Sequence, residues 1–184
     1  NSINLITLIF FTHYYGEQFS GLLAAAIQYL GLLIMMFSSS FAQVYYNEIA
    51  QIKDSKKLLK SYTYWLKRLL IMTLLGWIIL VFTPSSLLTM ILGEKWAGLM
   101  DTIKIISPWM AVMFVASSLS YVFIRLGKQK EVFFFDIFHL VIILIGMFVG
   151  HIFLNDQIQI LYVISSVQTL FYILSISLAL KFLF

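Results

Sequence analysis

Between residues 131 and 153 the chain runs almost without polar interruption, and runs of twenty or more mostly apolar residues recur along its 184 positions. Inside a bilayer every backbone N–H and C=O must be paired within the protein. Runs of this length are therefore restricted to helices, since β-barrel strands would be about ten residues long with strict alternation. Composition agrees, with 61% hydrophobic and 11% charged residues, where a soluble domain carries about 25% charged. The expected fold is all-α, a polytopic transmembrane helical bundle.

Six helices are expected, at residues 1–14, 18–45, 60–83, 98–125, 131–153 and 157–183. The first is short: about 13 apolar residues give roughly 20 Å of helix against about 30 Å of hydrocarbon. Because the chain begins with Asn1 and not Met, it reads as the C-terminal piece of a longer protein, cut inside or just before its first helix here. No basic segment precedes the first apolar stretch and no small-residue cleavage site follows it, so it does not read as a signal peptide. Lys53, Lys56, Lys57, Lys60, Lys67, Arg68, Arg125, Lys128, Lys130 and Lys181 fall on one side of the expected bundle, and only Lys95 and Lys104 on the other. Basic loops stay cytoplasmic, which places both ends of the chain in the cytoplasm. That placement accounts for most of the net charge of +4, so no nucleic-acid partner is implied.

Cysteine is absent and the three histidines are far apart, at 13, 139 and 151. Disulfides, thiolate chemistry and a metal centre are not expected, and no cofactor is implied.

The second helix carries small and polar residues, Gly21, Ala24, Ala25, Gln28, Gly31, Ser38, Ser39 and Ala42, spaced by three and four. They read either as a close helix contact, with Gln28 and Gln43 bonded to neighbours, or as the wall of a water-filled cavity. Residues 47–60 read as an amphipathic surface helix or a helical extension, with lysines near anionic headgroups, or simply as a solvated loop. Pro84 ends the third helix, and a short interfacial helix capped by Ser85 or Ser86 is expected before Gly93. Asp101 and Lys104 form an expected exposed pair, and Pro108 frees a carbonyl within the fourth helix. Asp136 and His139, at i and i+3, are the strongest polar anomaly in an apolar helix. They read as an Asp–His hydrogen bond with an ion pair to Arg125 or Lys128, as a proton or cation relay, or as lining of a polar cavity.

The stretch with Tyr15, Gly16 and Gly21, closed by Ser39 or Ser40, Phe41, Gln43 and Val44, resembles the start of the second half of Wzx-type polysaccharide flippases. These are the O-antigen and capsule exporters of the multidrug/oligosaccharidyl-lipid/polysaccharide superfamily. Gly93, Glu94, Lys95, Trp96, Ser107 and Pro108 are similar to a second element of that family. The resemblance covers essentially the whole chain. It implies that residues 1–184 form the C-terminal six-helix lobe of a two-lobed protein, whose N-terminal lobe is the missing partner. It further implies alternating-access transport of an undecaprenyl-diphosphate-linked oligosaccharide across the bacterial inner membrane, with membrane lipids, a polysaccharide polymerase and a chain-length regulator as further partners. Asn4, Gln28, Gln43 and Arg125 are then candidate pathway residues, and Asp136 and His139 candidates for ion coupling. No basic residue lies clearly at mid-membrane depth, so the diphosphate grip is expected from the absent half or from Arg125.

Three other readings stay open: a cation-coupled multidrug exporter of the same superfamily, a membrane polysaccharide polymerase or glycosyltransferase, and a non-catalytic scaffold. An enzyme needs carboxylates or Arg and His gathered outside the lipid. The longest extracytoplasmic segment offers only Glu94 and Lys95, so no enzyme is expected.

Overall fold

A computed structural model describes residues 2–154 and 156–184. The cytoplasmic start expected at Asn1 lies outside the described residues. The chain is a helical bundle: α1 (Ser2–Tyr15), α2 (Glu17–Ala50), α3 (Ser55–Phe82), α4 (Ser86–Leu92), a 3-10 turn (Glu94–Trp96), α5 (Leu99–Leu119), α6 (Tyr121–Arg125), α7 (Gln129–Phe153) and α8 (Gln157–Leu183). No strand occurs among the described residues. Five helical stretches are long and apolar enough to cross a membrane, and α1 is a shorter apolar helix. This is a multi-pass membrane protein.

Local chemistry explains the boundaries. Gly16 separates α1 from α2 at φ 85°, ψ 171°, a region essentially closed to residues with a Cβ. The segment at 47–60 is an extension of both helices: α2 continues to Ala50, and α3 starts after Asp54, whose carboxylate accepts from the N–H groups of Lys56 (2.7 Å) and Lys57 (3.1 Å). The single helix expected at 98–125 breaks at Ser120. There the Ser118 and Ser120 hydroxyls donate back to the carbonyls of Phe114 and Ser117, a competition with the helical ladder that bends helices. The short helix α4 is present, but the expected serine cap is not. Ser85 occupies the cap position and donates to the Asp101 carboxylate at 2.5 Å instead.

α5 is the hub. Of the apolar 18-residue stretch within Glu94–Arg125 that α5 dominates, 56% is buried, against 11% for that of α3, and α5 packs against α2, α8, α3 and α4. The core forms two layers along the bundle axis. One gathers Phe11, Leu23, Ile106, Trp109, Ile143 and Ile160, the other Tyr45, Ile49, Tyr62, Leu69, Val115 and Leu119. α7 approaches α8 closely, since a Cβ on Gly150 would touch Ile160 at 3.5 Å. The outer surface is studded with exposed Met35, Phe37, Ile79, Phe82, Phe133 and Phe153. In water such a surface would drive association, whereas in lipid it is matched to its solvent.

Candidate functional site

The stripe on α2 divides between two faces. Ser38 and Ala42 are buried, with Ala24 and Gly31 half-buried beside them, on the side that packs against α5. Gly21, Gln28, Leu32, Met35, Ser39, Gln43 and Tyr46 are all exposed and fall within an arc of about 80° at 3.6 residues per turn. The expectation that Gln28 and Gln43 bond to neighbouring helices is therefore overturned. Both amides are exposed and make no hydrogen bond among the described residues, because the residues that dock α2 on α5 lie about a quarter turn away. Asn4, on α1, is half-buried, and its Oδ1 is enclosed without a partner among the described residues.

Asp136 and His139 do come together on one cavity, of about 550 Å³, whose lining also includes Ile3, Phe133 and Tyr172. It lies among α1, α7 and α8. Their chemistry differs from the expected pair. His139 is buried and stacks on Phe171, with centroids 4.3 Å apart and planes at 14°. Its Nε2 is enclosed without a partner among the described residues. Asp136 is exposed to the cavity. No Asp136–His139 hydrogen bond forms, nor any ion pair to Arg125 or Lys128. Lys128 is held by Glu131 at 2.7 Å, about 12 Å along α7 from Asp136, and Arg125 is engaged elsewhere.

Arg125 closes the end of α2. Its Nε donates to the Ile49 carbonyl (3.2 Å) and its Nη2 to the Ile52 carbonyl (2.7 Å). The Ile49 carbonyl lies in the last turn of α2, at the negative end of its dipole, and the Ile52 carbonyl in the loop just beyond, so the guanidinium fork ties the helix end to the loop. The fork is thus a structural clasp between α6 and the α2–α3 loop.

At the opposite end Asp101 and Lys104 are not directly paired. Ser85 stands between them, donating to Asp101 and accepting from the Lys104 ammonium at 3.3 Å. One turn deeper, Pro108 deprives the Lys104 carbonyl of its i+4 donor. The Ser107 hydroxyl supplies one at 2.8 Å and accepts the Trp77 indole N–H at 2.9 Å. Freed carbonyls at a membrane-embedded proline need such a partner, and this one doubles as the anchor for the C-terminal half of α3. Sequence reasoning did not single out His151. Its Nδ1 is hydrogen-bonded to the Tyr15 hydroxyl at 2.8 Å and its ring sits against Tyr14 at 4.1 Å. Only the pairing of α1 with α7 brings these residues together, across 136 positions.

Among the described residues no group of three His, Asp or Glu is arranged to hold a metal ion. The chain matches no family model, no curated protein and no solved structure.

Proposed function

We propose that this chain is one lobe of a two-lobed transporter that moves a lipid-linked oligosaccharide, carried on undecaprenyl diphosphate, across the bacterial inner membrane by alternating access. The observation that carries the reading is the exposed face of α2. Two carboxamides and a serine hydroxyl lie on a helix otherwise made for lipid. An unpaired amide in hydrocarbon costs free energy, so a face of this kind belongs against water or a second polar surface. Sugar hydroxyls are matched by amides and hydroxyls more than by charges, and the resemblance of the Tyr15–Gly16 and Gln43 elements to polysaccharide flippases points the same way. The two cytoplasmic ends belong to this proposal, resting on the ten basic residues of one side.

Arg125 supports α2 and is not offered as the diphosphate grip, which falls to the other lobe. Asp136 and His139, on a cavity away from the α2 face, are suited to ion coupling. The experiment is transport by the full-length protein in sealed vesicles, with a lipid-linked oligosaccharide and a cationic dye offered separately. Gln28→Leu with Gln43→Leu is expected to slow oligosaccharide movement at least tenfold with the bundle intact. Dye export without oligosaccharide movement would refute the proposal in favour of a multidrug exporter.

A further inference from the structure

Lys104, Pro108, Ala111 and Val115 follow one another at i, i+4, i+7 and i+11 and so share one line along α5. Two cavities meet on this line. One, of about 380 Å³, lies between α5 and α8 and includes Lys104, Tyr162 and Ser166. The next, of about 210 Å³, lies between α3 and α5 and includes Leu74, Val112 and Val115. Pro108 and Thr169 line both, so the two form one groove. From Lys104 to Val115 it runs about 16 Å at 1.5 Å per residue, about half of a hydrocarbon layer roughly 30 Å thick. That is the depth of a single leaflet.

Polarity is concentrated at one end. The Lys104 ammonium has three N–H donors, and its one hydrogen bond among the described residues is the long one to Ser85. Tyr162 and Ser166 are exposed at the same mouth. Farther in, the hydroxyl of Thr169 is taken up by the Ser165 carbonyl at 2.7 Å and the N–H of Trp77 by Ser107, and the Thr73 hydroxyl, without a partner among the described residues, is enclosed behind the surface, so the walls present hydrocarbon. A cation with spare donors above an apolar groove of leaflet depth is complementary to an anionic head on an acyl chain.

We propose that this groove binds an anionic glycerophospholipid from the leaflet on the α4 side, its phosphate against Lys104 and one acyl chain along α5 between α3 and α8. A much longer polyprenyl chain does not fit a groove of this depth. The site is independent of the transported cargo, since it lies on α5, α3 and α8 and not on the polar face of α2.

The test is lipid retention by the full-length protein, read by native mass spectrometry after exchange into mixed micelles with phosphatidylglycerol, phosphatidylcholine or undecaprenyl phosphate. Phosphatidylglycerol is expected to be retained in preference to phosphatidylcholine. Lys104→Met should weaken that retention about fivefold, the effect of one lysine on an anionic headgroup, and Lys104→Arg should restore it. Leu170→Trp, at an exposed position on the groove, should displace the lipid while leaving Lys104 in place, and Lys95→Met should change nothing. Equal retention of the two phospholipids, undiminished retention in Lys104→Met, or Lys104-dependent retention of undecaprenyl phosphate alone would each overturn the assignment.

Discussion

Removing the Arg125 fork separates a structural role from a transport role at one residue. The guanidinium makes two charge-assisted hydrogen bonds, at 2.7 and 3.2 Å. Bonds to a charged group contribute roughly 1.5 to 3 kcal/mol each. Arg125 is half-buried and the second bond is long, so the lower figure is appropriate, giving a loss of about 3 kcal/mol for Arg125→Ala. Arg125→Lys keeps the charge near the helix end but cannot reach both carbonyls as a planar fork. It should lose about half as much. Both values are measurable as the free energy of unfolding of the full-length protein in mixed micelles with increasing denaturing detergent. The losses should be matched by faster hydrogen exchange at residues 49–54, where the loop is freed. If Arg125→Ala unfolds within about 0.5 kcal/mol of the parent while transport collapses, the clasp reasoning fails and Arg125 belongs to the substrate pathway.

Five further substitutions test three other parts of the bundle. Gly16→Ala forces a Cβ into a region costing about 1 to 3 kcal/mol, so the same unfolding assay should show a loss of that size, while Gly21→Ala, on open helix surface, should be neutral or slightly stabilising. Trp77→Phe and Ser107→Ala should each cost about 1 to 2 kcal/mol, and the double variant should cost less than their sum, because both break one hydrogen bond. A double-mutant cycle with no coupling would refute the shared anchor. Asp136→Asn should leave stability unchanged, since the carboxylate bonds to nothing among the described residues, yet abolish the gradient dependence of transport; undiminished gradient-driven transport would remove Asp136 from ion coupling.

Helix positions were legible because hydrocarbon leaves the chain few options. Five of the six expected runs correspond to helices that begin or end within about five residues of the expected positions, and the departures have local causes. The run at 98–125 divides because two serine hydroxyls near its end, those of Ser118 and Ser120, offer the carbonyls other donors. Single residues were harder to read. Spacing puts Asp136 and His139 on one face of α7, and the structure bears that out by placing both on one cavity. Spacing did not reveal that Phe171 of α8 occupies the space beside the imidazole, or that Lys128 is held by Glu131. On α2 the list of small residues was correct as composition, but it mixed positions belonging to two faces.

The amino-acid sequence alone determined that the solvent is lipid, that the elements are helices, and where most of them end. These follow from the cost of unpaired backbone groups in hydrocarbon and from the conformational limits of glycine and proline. Which face of each helix is buried was decided only by the tertiary structure. In lipid both faces of a helix are apolar, so the contrast that marks the inner face of a soluble helix is missing. Packing therefore decided that α5 would be the hub, that Arg125 would clasp α2, and that Gln28 and Gln43 would be left exposed.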